Sequence, residues 1–308
     1  MIGRRLFLGS SSMPTASPVP PPASTQAWLR HRKIPLIGAG IVVFSATCYG
    51  TLLYFSATRR AGLENIPADA SNRYMDIAWD YDKNIDFAEW VSGIKNRRKE
   101  ISKLLRGHVL ESAVGTGRNL AFYPMEKIET ITLLDKSTEM LACTKKKYKD
   151  EWPEYSRKIN YKNQSALCPI TPITPEGYDT VFQTMGLCST PEPVALLRNL
   201  EQAAKEDGQI LLLEHGKSYY EWMNRVLDNT APDHADKWGC WWNKDIGKIV
   251  EESGLEVVNI KRYNFGTTWW VELKPRKGIR KKAEAMVEAE PLLQVPVVPQ
   301  RPWWYLWR

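Results

Sequence analysis

The stretch ESAVGTGRN, residues 111–119, directly follows the apolar pair Val109-Leu110. Its reading decides the fold. A strand running into a loop with Gly115 and Gly117, and a helix expected to begin near Arg118-Asn119, is the junction at which parallel α/β sheets bind nucleotide-like ligands, at the carboxyl edge of the strand. Glycine there allows a tight turn and close backbone approach, and a helix N-terminus offers free N–H donors. The same letters also describe an ordinary strand-to-helix turn, so the surrounding chain has to choose.

Downstream, Asp135 stands twenty residues past Gly115 in LLDKSTEML, residues 133–141. An acid at the end of the next strand, at about that spacing, suits hydrogen bonds to ribose hydroxyls. Its competing reading is an N-cap, since Asp before Lys-Ser-Thr-Glu can start a helix. A dinucleotide is disfavoured, because Leu120 stands where the third glycine of a G-x-G-x-x-G pyrophosphate cradle belongs.

Further out, β-rich runs recur at residues 108–110, 130–134, 158–162, 180–183 and 209–214, with helical segments between them. Such alternation predicts a parallel sheet covered by helices. A helical spacing over 86–105 predicts one helix before the first strand. After a helix near 243–253, residues 256–262 and 268–273 flank Asn264-Phe265-Gly266-Thr267 and predict a closing antiparallel hairpin.

The 308 residues leave room for one large domain plus extensions. The net charge of +7 belongs to the leader: residues 1–63 carry seven Lys/Arg and no acid, leaving 35 basic against 35 acidic residues in the rest. A neutral body argues against a nucleic-acid partner, which would call for a concentrated basic surface. The five cysteines, Cys48, Cys143, Cys168, Cys188 and Cys240, contain no C-x-x-C pair and read as free thiols, with no metal site expected. Residues 1–33, acid-free and with Arg4-Arg5 beside Leu6-Phe7-Leu8, fit a mitochondrial targeting segment leading into a disordered Pro-rich spacer. Residues 34–57 are 24 uncharged residues, about 36 Å of helix against a hydrocarbon layer of ~30 Å, and predict one transmembrane helix. The basic flanks lean toward a body in the intermembrane space. A domain over 64–277 and a tail over 278–308, ending in RPWWYLWR, complete the expected organisation.

With those motifs in hand, residues 73–275 resemble the class I S-adenosylmethionine-dependent methyltransferases: E-x-A-x-G-T-G at 111–117, Asp135, QSA at 164–166 and YDTVFQTMGLCS at 178–189. More narrowly, ILLLEHGKSYYEWMNRVLD and YNFGTTWWVELKP look like the fungal mitochondrial inner-membrane members linked to suppression of oxidase-assembly defects. The resemblance implies a Rossmann-like seven-stranded α/β sheet and S-adenosyl-L-methionine as cofactor. It implies that Gly115 and Gly117 line the methionine part with Glu111 near its amine or bracing the loop, Asp135 on the ribose, and Lys136 and Met140 flanking the adenine. Ser165 and Ala166 would sit at the adenine edge and Gln183 and Thr184 beside the sulfonium. Two departures from the family pattern stand out, Ala113 for the usual first glycine and Ser165 for an adenine-binding acid.

For chemistry, the Glu214-His215 pair at the end of the fifth strand places His215 as the candidate base, since a neutral imidazole suits proton removal near pH 7. A histidine that merely satisfies a turn is the competing reading, and Cys188 reads as packing rather than as a reactive thiol. Trp238, Trp241 and Trp242 are candidates for a substrate lid or for core. Two functions follow as expectations: a membrane-anchored enzyme methylating an unidentified small-molecule or protein acceptor, or a non-catalytic factor for an inner-membrane protein complex.

Overall fold

The computed structural model describes residues 23–58 and 65–279. By its internal contacts the chain divides into two compact units, one ending at Thr58 and the other beginning at Arg59. The first is helix α1, Ala23–Thr58. It begins at Ala23, directly after the Pro-rich stretch 18–22 of the sequence, and runs through the uncharged stretch 34–57. Leu36, Ile37, Val42 and Phe44 are exposed along it. Among the described residues no helix is long and apolar enough to cross a membrane; the side chains at 34, 52, 53 and 55–57 of the expected span lie outside them. The targeting motif and the basic and aromatic clusters beyond residue 279 also lie outside the described residues.

In the second unit the elements run α2 (Arg73–Ile77), α3 (Tyr81–Val91), α4 (Ile94–Ser102), β1 (Gly107–Ser112), β2 (Ile128–Asp135), α5 (Thr138–Glu151), β3 (Ile159–Asn163), β4 (Tyr178–Thr184), α6 (Pro193–Ala203), β5 (Ala204–His215), α7 (Glu221–Trp238), α8 (Ile246–Ser253), β6 (Glu256–Tyr263) and β7 (Thr268–Lys274). The strands form one seven-stranded sheet in the order β3-β2-β1-β4-β5-β7-β6. β1 to β5 are mutually parallel, whereas β7 runs antiparallel to both β5 and β6. The expected α/β sheet and closing hairpin are therefore present. The order reverses direction between β1 and β4, which opens a crevice at their carboxyl ends.

Alternation along the strands divides the core into two layers. Leu110, Val181, Ile210 and Leu212 pack on one face with Leu197, Leu200 and Val250 from α6 and α8. Val109, Phe182, Leu211 and Leu213 pack on the other with Ile101 and Leu105 from the α4 region and Leu141 from α5. Both faces are covered, as a parallel sheet requires.

Two sequence expectations are corrected. The single helix expected over 86–105 is broken at Gly93, whose φ of +71° ends α3 and caps α4. Its apolar spacing was also misleading: α3 exposes Phe87 and Trp90 and buries Glu89, because Glu89 has two arginine partners. The helix expected at Arg118-Asn119 is only a single 3-10 turn, Leu120–Phe122, so the glycine loop has no α-helix N-terminus behind it.

Truncating Leu212→Ala on the fully buried central strand lowers unfolding free energy by about 2–5 kcal/mol, through lost transfer energy and the cavity left behind. Urea denaturation of the wild-type and substituted chains measures it, and a loss below about 1 kcal/mol contradicts this core assignment.

Candidate cofactor site

Three residues in the loop after β1 are held in the left-handed region: Ala113 at φ +51°, Gly115 at +59° and Gly117 at +77°. For Ala113 this conformation costs about 1–2 kcal/mol, so its departure from glycine is a real strain rather than a neutral swap. Gly115 has open space where a Cβ would stand, whereas one on Gly117 would strike the Leu120 side chain at 2.5 Å. Gly115 therefore faces the crevice and Gly117 packs inward.

Side chains from elsewhere hold this shape. Asp135 Oδ2 accepts the Gly115 N–H at 2.8 Å and Oδ1 accepts the Ser137 N–H at 2.8 Å. Asp135 is thus not the cap of α5; Ser137 is, accepting the Met140 N–H at 3.2 Å. The Thr144 hydroxyl donates to the Gly115 carbonyl at 2.6 Å, and the Thr116 hydroxyl donates to Asp82 at 2.5 Å. Burial pushes the Asp135 pKa up against backbone donors from Ser137, Gly115 and Lys136, and the net direction is upward. A carboxylate has about four lone-pair sites, so it keeps acceptor capacity toward the crevice.

A charged roof closes over the loop. Arg98, 4% exposed, donates to Glu89 at 2.8 Å, to Asn119 Oδ1 at 3.1 Å and to Thr184 Oγ1 at 2.6 Å. Arg118 bridges Asp82, Asp86 and Glu89 at 3.0, 2.7 and 2.8 Å, and Lys147 reaches Asp82 at 2.6 Å. Asn119 then donates to Glu111 at 2.8 Å and to Thr184 at 2.9 Å, and the Tyr123 hydroxyl contacts the other Glu111 oxygen. α3 and α4 are thereby fixed to the ends of β1 and β4.

Together these elements line an open cleft with about 140 Å³ of interior space. Of the residues expected from sequence, Ala113, Gly115, Asp135, Lys136, Met140, Ser165, Ala166 and Thr184 line it. Glu111, Gly117, Gln183 and His215 do not. Glu111 is fully buried beneath the loop as a brace, and Gln183 spends its amide on Glu214 Oε1 at 3.1 Å. Lys136 is drawn to Asp69 and Ser71, each at 3.0 Å. Ser165 accepts the Leu167 N–H at 3.2 Å, closing a local turn.

His215 sits behind the wall, its Nε2 2.7 Å from Cys240 Sγ. Burial alone would lower its pKa, but the facing Cys188 thiol outweighs this and the net direction is up. With Nε2 committed to Cys240 and the ring outside the cleft lining, the imidazole is not placed to take a proton from anything in the cleft. Trp238, Trp241 and Trp242 do not line the cleft either: Trp238 packs edge-on against Tyr81 at 6.1 Å, Trp241 donates to the Pro67 carbonyl at 3.2 Å, and Trp242 stacks on His234 at 3.9 Å. Sequence reasoning missed Asp69, Ser71, Tyr74, Tyr81 and Arg98, which line the cleft from before β1. No local motif marks them, because they reach the site only through the packing of α2 to α4.

With this geometry established, the comparisons with known proteins are direct. Residues 80–260 match the family model described as a methyltransferase domain. The chain belongs to this methyltransferase-domain family. It is 38% identical over 233 residues to the protein named "Methyltransferase OMS1, mitochondrial" of Saccharomyces cerevisiae, an alignment that covers 71% of this chain and 49% of the yeast protein. The chain thus spans about half the length of that relative. Among solved structures it is similar to the O-methyltransferase NcsB1 of neocarzinostatin biosynthesis bound to S-adenosylmethionine and a naphthoic acid, at 19% identity, TM-score 0.47, and coverage of 63% and 56% of the two chains. It is also similar to the mitomycin 7-O-methyltransferase MmcR, at 13% identity, TM-score 0.48, and coverage of 66% and 60%.

Burial pushes the Glu111 pKa up to about 8, and that of Glu214 to about 7. A raised folded pKa gives stability that is complete below the unfolded carboxylate value and is lost as pH rises toward the folded value. The wild-type chain therefore loses stability between pH 5 and 8 relative to Glu111→Gln, by up to about 1.4 kcal/mol per pH unit for this one proton. Urea unfolding of both chains at pH 5, 6, 7 and 8 tests this; parallel pH profiles contradict a neutral Glu111 in the fold. At the strained position, Ala113→Gly raises stability by about 0.5–1 kcal/mol, readable in the same experiment.

Proposed function

We propose that this chain is an S-adenosylmethionine-dependent methyltransferase of mitochondria, anchored in the inner membrane by residues 34–57. The observation that carries the catalytic reading is the Asp135 carboxylate, held against the Gly115 amide at the β1/β4 crevice with room in front of Gly115 for a ligand. The residues present fit the cofactor. Gly115 and the loop backbone take the methionine portion, while Asp135 accepts from the ribose hydroxyls. Met140, Ser165, Ala166 and Leu167 bound the adenine, with Lys136 at its rim, and Thr184, oriented by Arg98 and Asn119, stands at the floor near the sulfonium. Glu111, Gly117 and Gln183 support this surface from behind. When bound, the cofactor supplies an electrophilic methyl group, and the protein's part is to position an acceptor and shut out water.

The acceptor is a small molecule or a protein. Tyr74 and Tyr81, with Met185 and Pro191, give part of the cleft an aromatic and apolar lining, which suits an acceptor with an apolar or ring-bearing body. Proton removal from it does not fall to His215 in this reading, since the imidazole is turned to Cys240. Anchoring is supported by the uncharged run at 34–57 lying within a continuous helix with exposed Leu36, Ile37, Val42 and Phe44. The mitochondrial setting is supported by the acid-free leader and by the likeness to the yeast mitochondrial protein. The second reading, a non-catalytic factor for an inner-membrane complex, draws on the strained Ala113 and on Ser165, which is committed to its own turn.

Calorimetric titration of S-adenosylmethionine into the detergent-solubilised full chain separates the two. The enzyme reading expects one-to-one binding, weakened roughly 10- to 100-fold in Asp135→Ala by loss of hydrogen bonds to a charged acceptor and abolished in Gly115→Arg. No heat from a folded wild-type chain favours the non-catalytic factor. Alkaline carbonate extraction tests the anchor: the chain stays in the membrane pellet, and its release into the soluble fraction overturns the span.

A further inference from the structure

Behind the cleft, three soft donors from three separate segments converge. Cys188 sits on the 3-10 turn after β4, His215 ends β5, and Cys240 follows the left-handed Gly239 that closes α7. One ligating atom of each lies within 4.8 Å of the other two, and both cysteines are buried.

The backbone around them is fixed independently. The Trp241 N–H donates to the Cys188 carbonyl at 3.0 Å, and His234 Nδ1 is 2.8 Å from the Cys240 carbonyl oxygen. The Lys244 ammonium reaches the Leu187 carbonyl at 3.1 Å and also contacts that of Thr190. Glu214, next to His215, accepts the N–H groups of Gly186 and Leu187 at 3.1 Å each. The three donors are therefore presented by backbone that is anchored on either side of each.

We propose that Cys188, His215 and Cys240 form a Zn²⁺ site. Two thiolates and one imidazole are a zinc donor set, soft enough to exclude Mg²⁺ and Ca²⁺, which take oxygen ligands. Tetrahedral Zn²⁺, with bonds of about 2.3 Å to sulfur and 2.0–2.1 Å to nitrogen, separates its donors by roughly 3.5–3.8 Å. The present His215–Cys240 separation of 2.7 Å needs to open by under about 1 Å. Binding releases the two thiol protons to solvent, and two thiolates with Zn²⁺ leave the buried cluster formally neutral. Three protein ligands leave a fourth position for water or another donor. The ion ties the β4 turn, the end of β5 and the α7–α8 connection together behind Gly186 and Ser189, both of which line the cleft.

The test uses the full chain, purified under reductant, stripped with a chelator and titrated with Co²⁺ and then Zn²⁺. One equivalent of Co²⁺ is expected to bind, giving the visible bands of tetrahedral cobalt and a sulfur-to-cobalt charge-transfer band, which Zn²⁺ then abolishes stoichiometrically. Cys188→Ser and Cys240→Ser each weaken this binding at least about 100-fold, while Cys168→Ser, at an exposed thiol outside the cluster, leaves it intact. A folded wild-type chain that binds no Co²⁺ overturns the proposal without reference to any variant. So does an unchanged spectrum in the Cys188→Ser/Cys240→Ser chain, or a Cys188–Cys240 disulfide that persists under reductant. None of these readouts depends on methyl transfer or on S-adenosylmethionine, so this proposal stands or falls separately from the enzymatic reading.

Discussion

The site depends on a buried guanidinium. Arg98 is almost wholly removed from water, which is tolerable only because Glu89 neutralises it and Asn119 and Thr184 absorb further N–H donors. Through that one group α3 and α4 are held over the sheet, the end of β4 is oriented, and Asn119 is positioned to brace Glu111 beneath the glycine loop. A cation of this kind contributes little net stability against a hydrophobic alternative. What it contributes is placement: the cleft has a roof because Arg98 has partners on both sides of it.

The loop beneath is the complementary constraint. Three left-handed residues in succession at alternate positions, 113, 115 and 117, turn the chain sharply after β1. Asp135 holds the Gly115 amide from the neighbouring strand, and Thr144 holds its carbonyl from α5. The loop is thus fixed by side chains from the element it must face, which is why it keeps its form without an α-helix behind it. The strain carried by Ala113 is local and of the kind found where a backbone is shaped for a ligand.

Behind this surface lies a second layer of polar groups that the cleft does not touch. Glu111 and Glu214 are both buried carboxyls pushed toward neutrality, each closing backbone or side-chain donors next to a strand end. The Cys188–His215–Cys240 group occupies the same layer. The fold therefore puts ordinary binding surface in front and its costly polar supports in the second rank, where low dielectric strengthens each hydrogen bond.

Residues 111–119 and Asp135 were sufficient, with the strand–helix alternation around them, to specify the α/β sheet and the side of it on which a ligand sits. They are local in sequence, and their glycine spacing and strand-end acid have direct physical consequences. The covering of the sheet by helices was equally legible, since strand runs alternating with helical segments predict it, whereas which strand residues face which layer is read from the structure. Other features were decided by tertiary structure. Gly93 reads as one residue in a helical spacing, yet it breaks the helix, and Glu89 is buried because Arg98 and Arg118, nine and twenty-nine residues away, meet it there. Asp69, Tyr74, Tyr81 and Arg98 join the cleft only when α2 to α4 fold back across it. His215, Cys188 and Cys240 looked like unrelated residues, because sequence spacing says nothing about donors brought together by a strand end, a turn and an interhelical loop. Periodicity and loop chemistry act over a few residues and can be read from the chain; the pairing of buried charges and the convergence of soft donors are set by which distant surfaces share the same small volume.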